Sequence, residues 1–172
     1  WVFKTFNLEK HGPLADEKLA AHLNATDPNL KAFKARGGKL IIYHGWSDAA
    51  LPPVNSINYF HSVTAKMGKR EVDTFVRLYM APGMQHCGGG PGPDNFGAYV
   101  SNIPSDPQHD MSLALERWVE QGVAPDQIIA AKRQSADPKA PPIRTRPLCP
   151  YPQVAKYKGS GSTDEAANFV CV

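Results

Sequence analysis

At 172 residues, with 42% hydrophobic residues, the chain is long enough to bury one core, and a single globular unit is the expectation. Its 19 Lys and Arg against 16 Asp and Glu leave a formal charge of +3. These charges are scattered along the chain, which excludes a dedicated nucleic-acid surface. The longest apolar stretches, Leu40 to Tyr43 and Phe169 to Val172, fall far short of the roughly 20 residues of a membrane span, so neither nucleic acid nor membrane is an expected partner.

Trp1 opens straight into Val2-Phe3-Lys4-Thr5-Phe6, without an initiator Met, a basic leader or a cleavage site, and reads as the start of a piece cut from a longer protein. From Pro13 to Leu23, Leu14, Leu19 and Leu23 fall near helical spacing and predict a short helix. A second begins where Asp27 caps and Pro28 takes the first helical position, with Leu30 and Phe33 as its apolar face, and ends at Arg36 before Gly37-Gly38. Lys39 to Tyr43 is a β-branched and aromatic run that predicts a buried strand.

Pro52-Pro53 opens an amphipathic helix carrying Val54, Ile57, Phe60, His61 and Met67, closed by Gly68. A second strand is expected over Asp73 to Met80, a further helix from an Asp110 cap to Gly122, and a third strand over Ile128 to Ala131, with turns and extended pieces elsewhere. Strands alternating with helices long enough to cross over indicate an α/β fold with a parallel sheet.

The 3 cysteines, Cys87, Cys149 and Cys171, in a chain with 16 prolines and 14 glycines, suggest one internal disulfide and one thiol whose partner lies elsewhere. Cys149 and Cys171 bracket an irregular tail, and closing a loop of that size contributes roughly 3 kcal/mol. Three reduced, buried thiols are the alternative. No Cys-x-x-Cys or Cys/His spacing indicates a zinc site.

Functional residues of open parallel sheets gather beyond the carboxyl ends of strands. Asp48 follows the first strand by a few residues and His86 follows the second. A strand-end acid followed by a strand-end histidine is the order of α/β-hydrolase triads, which run Ser, Asp or Glu, then His. Asp48 also suits a turn or a helix cap, and His86 suits a glycine-rich loop. On spacing alone both readings stay open. His44 reads as a packed or hydrogen-bonding strand-end residue, and His11, His22, His61 and His109 as surface or helix-face histidines. Gly88-Gly89-Gly90 lacks the Lys-Ser or Lys-Thr of a phosphate loop, and no serine sits in Gly-x-Ser-x-Gly.

The run Gly37-Gly38-Lys39-Leu40-Ile41-Ile42-Tyr43-His44-Gly45-Trp46-Ser47-Asp48, followed by Ala81-Pro82-Gly83-Met84-Gln85-His86-Cys87, resembles the tannase and feruloyl esterase family. So do Arg144-Thr145-Arg146-Pro147-Leu148-Cys149-Pro150-Tyr151-Pro152 and Asn168-Phe169-Val170-Cys171. The resemblance implies the C-terminal part of an α/β-hydrolase fold, with residues 1–36 as the end of a lid region and its lead-in helices and residues 37–172 as the C-terminal portion of the catalytic domain. It implies Asp48 as the triad acid, His86 as the base, and Cys87 in a disulfide to a cysteine outside this chain, beside the nucleophilic serine.

It further implies esters of aromatic acids as substrates and no cofactor in this chain, with a structural calcium in the part of the lid that this sequence does not contain; the disulfides imply an oxidising, hence secreted or periplasmic, location. An enzyme piece that needs the serine-bearing N-terminal segment is therefore the leading expectation. A binding domain that keeps a hydrolase half-fold is the alternative, and a peptidase or lipase on the same fold a weaker one.

Overall fold

Two parallel strands carry the architecture. The computed structural model describes residues 2–97, 103–134, 137 and 140–172, so Trp1, named above, lies outside the described residues. Strand β1 (Leu40–Gly45) pairs with β2 (Val76–Ala81) from Leu40 opposite Val76 to Gly45 opposite Ala81. Helix α3 (Val54–Met67) and the short α4 (Lys69–Val72) return the chain between them.

Because side chains alternate across a strand, β2 feeds two cores. Val76, Leu78 and Met80 pack with Phe60, Val63, Val72 and Phe75 beneath α3. Tyr79 and Ala81 pack on the other face with Met84, Phe96, Met111, Ala114, Ile128, Ala130 and Leu148. Burial on both faces is what a parallel strand with covering layers requires.

Helix α5 (Met111–Gln121) begins as its sequence predicts. The Asp110 carboxylate accepts from the backbone N–H groups of Ser112 and Leu113, and Gly122 ends the helix in the left-handed conformation at φ 71°. Its Trp118 is buried, with the Arg77 guanidinium 5.0 Å and the Lys39 ammonium 5.4 Å from the ring centre.

Several elements differ from expectation, each for a physical reason. Helix α1 (Leu8–Leu23) starts ahead of Pro13, because the Asn7 side chain caps it by accepting from the Lys10 N–H. Pro13 sits inside it, and none of its residues is buried. Asp27 accepts from the Asn29 N–H instead of capping, so α2 (Lys31–Ala35) begins later. The residues from Asp73 to Phe75 form a turn after α4, whose Val72 is fully buried, and leave β2 shorter than expected.

Strand β3 (Ile128–Lys132) does not extend the parallel sheet. It pairs antiparallel with β4 (Arg144–Leu148), from Ile128 opposite Leu148 to Lys132 opposite Arg144. Beyond β4 the chain lies along the outer edge of β2, where the Tyr151 N–H donates to the Leu78 carbonyl at 2.7 Å and Tyr79 bridges to Pro150. The tail folds into a small antiparallel pair, β5 (Ala155–Tyr157) with β6 (Phe169–Cys171), and a Cys149–Cys171 disulfide closes it. Among the described residues, no helix is long and apolar enough to cross a membrane.

The bridge joins residues 22 apart in sequence around a segment with little core of its own. Replacing both cysteines by alanine should lower unfolding stability by about 3 kcal/mol, read as a drop in the denaturant midpoint. An unchanged midpoint would show that the tail contributes nothing to the folding unit.

Candidate active site

The loops that follow β1 and β2 cross at Gly45. A Cβ there would meet the Met84 carbonyl oxygen at 2.3 Å and that of Gln85 at 2.6 Å, so only glycine lets the second loop pass over the end of the first strand. Backbone hydrogen bonds then join the loops. The Trp46 N–H donates to the Ala81 carbonyl at 3.0 Å and the Ser47 N–H to the Met84 carbonyl at 2.9 Å. Met84, between His86 and the strand, is buried. Asp48 and His86 are 38 positions apart in sequence, yet their separation is set by this short stretch of paired backbone.

Both oxygens of Asp48 are occupied. Its Oδ1 accepts from the Ala50 N–H at 2.8 Å and the Leu51 N–H at 2.9 Å. Its Oδ2 lies 2.8 Å from His86 Nδ1 and 3.1 Å from His44 Nε2. The Asp48 side chain is 4% exposed, whereas that of His86 is 51% exposed. The Leu51 N–H, opposed by desolvation and aided by His86 and the Ala50 N–H, holds the Asp48 carboxyl far below the usual carboxylate range. Asp48 is thus an anion across the neutral and mildly acidic range. With Nδ1 on the carboxylate, His86 keeps Nε2 as the ring nitrogen not engaged by Asp48.

The His86 loop is held from behind. The Gln85 N–H donates to the Gly89 carbonyl at 3.2 Å, and the Gly89 N–H donates to Asp94 Oδ2 at 2.7 Å. Asp94 in turn pairs with Lys132 on β3 at 3.1 Å. Gly83 and Gly92 touch closely enough that a Cβ on Gly92 would meet the Pro82 carbonyl oxygen at 2.0 Å. These glycines let the loop close on itself. Cys87, next to His86, is an exposed free thiol at φ 59°.

Strand-end placement brings Asp48 and His86 together as the sequence suggests. The sequence reading left His44 outside the site, although the structure puts it on the same carboxylate oxygen as His86. Its one visible signal was a histidine at the carboxyl end of a strand, four residues before the acid. The remaining histidines lie elsewhere: His11 Nδ1 accepts from the Asn7 N–H, His109 pairs with Asp106, His61 packs beside Tyr151, and His22 is exposed on α1. A cavity of about 580 Å³ lies to one side, lined by Trp46, Met80, Pro82, Pro93, Arg146 and Tyr151 among others, without Asp48 or His86. Among the described residues, no group of three or more His, Cys, Asp and Glu could hold a metal ion.

Comparison with known proteins places the chain in a family. The family model described as "Tannase and feruloyl esterase" matches residues 3–172. An uncharacterized esterase of Xanthomonas campestris pv. campestris is 44% identical over 174 residues, covering 93% of this chain and 30% of that protein. The mono(2-hydroxyethyl) terephthalate hydrolase of Piscinibacter sakaiensis is 46% identical over 149 residues, covering 86% of this chain and 22% of that protein. The crystal structure of feruloyl esterase B from Aspergillus oryzae superposes with a TM-score of 0.83 at 29% identity, covering 100% of this chain and 34% of that one. The chain belongs to the tannase and feruloyl esterase family, and its fold is of the α/β-hydrolase type. It spans a third or less of the length of the curated relatives it matches.

Two measurements check the site's electrostatics and thiol chemistry. A depressed folded-state pKa contributes stability that is complete above the unfolded value and is lost as pH falls below it. The stability gap between the parent chain and Asp48→Asn should therefore be constant near neutrality and shrink below about pH 4, the unfolded carboxyl value. Denaturation midpoints across that range read it, and a gap that persists at low pH would refute the assignment. Thiol titration of the folded chain should find Cys87 alone reactive; three reactive thiols would refute the Cys149–Cys171 bridge.

Proposed function

We propose that this chain supplies the acid and the base of a Ser-Asp-His triad to a carboxylic ester hydrolase, whose serine comes from a segment N-terminal to it. The observation that carries the reading is the 2.8 Å contact between the buried Asp48 carboxylate and Nδ1 of the half-exposed His86, in a chain of this family. Asp48 fixes the imidazole tautomer with the proton on Nδ1 and leaves Nε2 as a base.

In this scheme His86 Nε2 takes the proton of the serine hydroxyl as its oxygen attacks the ester carbonyl. Asp48 stabilises the imidazolium that results. The imidazolium then returns the proton to the leaving alcohol, and the acyl-enzyme is hydrolysed by a water that His86 deprotonates in the same way. Acylation and deacylation each need the anion at Asp48 throughout and an unprotonated His86 at the moment of nucleophilic attack, and the depressed Asp48 carboxyl secures the first.

Cys87 is assigned a disulfide to the cysteine beside that serine, which would fix the nucleophile-to-base distance, where a misplacement of about 1 Å costs roughly a hundredfold in rate. Its exposed sulfur, one residue from the base, supports this. Residues 1–36 are assigned to the end of the lid region and residues 37–172 to the catalytic domain; an α1 without a buried residue suits a helix whose packing partner lies outside this chain. The substrates are esters of aromatic acids, in keeping with the feruloyl and terephthalate esters in the names of its relatives. A secreted or periplasmic site of action follows from a structural disulfide.

A protein that includes the preceding segment should hydrolyse methyl ferulate or methyl gallate, and Asp48→Asn and His86→Ala should each lower kcat by about ten-thousandfold. Hydrolysis that survives both substitutions would sink the triad. The 172-residue chain by itself should show no such activity.

A further inference from the structure

His44 is the histidine that the triad scheme does not use. It ends β1, and its ring is held on both sides. Nε2 lies 3.1 Å from Asp48 Oδ2 and 3.2 Å from the Leu51 carbonyl oxygen, while Nδ1 lies 2.8 Å from Ser56 Oγ on the first turn of α3. A carboxylate and a carbonyl can only accept, so Nε2 must carry a proton that both share. Ser56 can donate its hydroxyl to a bare Nδ1, and a neutral imidazole then satisfies every partner.

The side chain is 12% exposed, too enclosed to be a surface histidine that happens to lie near a carboxylate. The groups packed around it leave few other charges. Its neighbours on β1 are Tyr43 and Gly45, its register partner on β2 is Met80, α3 contributes Ser56, and the loop after β1 contributes Asp48. His86 reaches the same carboxylate oxygen, with Cys87 next to it in sequence.

We propose that His44 is a positioning residue of the hydrolase, a neutral imidazole whose Nε2–H shares Asp48 Oδ2 with His86 Nδ1 and whose ring is fixed by Ser56. The inference rests on the triad reading and deepens it. Two consequences follow from one oxygen serving two donors. The backbone N–H groups of Ala50 and Leu51 hold Oδ1, and His44 completes the set that aims Oδ2 at His86. His44 also draws electron density from Oδ2, so Asp48 grips the His86 imidazolium less tightly than a carboxylate without that second donor would. Loss of that donor should therefore change how firmly Asp48 holds the His86 imidazolium.

The test has a kinetic arm in the protein that includes the serine-bearing segment and a spectroscopic arm on the 172-residue chain. His44→Phe keeps the ring's bulk and removes the donor. It should lower kcat by about tenfold or more with KM nearly unchanged, and move the acid limb of the kcat/KM profile to higher pH by about half a unit. His44→Gln, whose amide can donate to Oδ2, should bring the limb back towards the parent. Ser56→Ala, which loosens the ring without touching Asp48, should shift it in the same direction as His44→Phe by less, and it serves if His44→Phe does not fold.

A loss of rate with an unmoved acid limb in all three variants would reduce His44 to a packing role and overturn the proposal. On the isolated chain, long-range ¹H–¹⁵N spectra should show His44 neutral with its proton on Nε2, and a proton found on Nδ1 instead would overturn it independently of any activity. Failure of the triad reading looks different, because hydrolysis would then survive His86→Ala whatever the tautomer of His44.

Discussion

The site depends on one close approach, the passage of the Met84–Gln85 backbone over Gly45. It puts two loops in contact at the shared end of a parallel strand pair, and the Trp46 and Ser47 N–H groups convert that contact into paired backbone. Any side chain at Gly45 would push the second loop away by more than a hydrogen bond can tolerate, and His86 would move with it. The large cores on either face of β2 and the Asp94–Lys132 pair behind the glycine loop keep that crossing rigid. A chain so rich in proline and glycine can in this way hold a 2.8 Å contact between residues far apart in sequence.

Much of the fold was legible because its determinants are local. Leu40 to Tyr43 is β-branched and apolar and became β1; Asp110 and Gly122 carry their capping chemistry within a few residues and bound α5 where expected. Reading failed where the outcome depends on partners distant in sequence. Nothing in Ile128 to Ala131 says that it will pair with Arg144 to Leu148 in place of β2, since that choice is made by register and by which edge is already occupied. Pro13 drew attention to itself as a helix start, while the true signal was the quieter Asn7.

The same limit shaped the view of the site. Asp48 and His86 stand at strand ends, a position that sequence can indicate, and they meet. The tie between His44 and Ser56 exists only because α3 begins where it does and turns its first residues back towards β1. The support from Lys132 reaches across 38 positions to Asp94. Both are invisible without the fold, although they bear on the same imidazole and carboxylate.

The path of the C-terminal segment beside β2 has a further effect. Pro150 and Tyr151 occupy the outer edge of β2, and among the described residues β1 pairs with β2 alone. The sheet is therefore capped on one side and can grow only from the other, along Leu40 to Gly45. That row of backbone donors and acceptors lies on an apolar strand with no proline or charged residue to blunt it. A strand added there would run next to His44 and the Asp48 loop, so growth of the sheet would bear directly on the hydrogen bonds that hold that carboxylate.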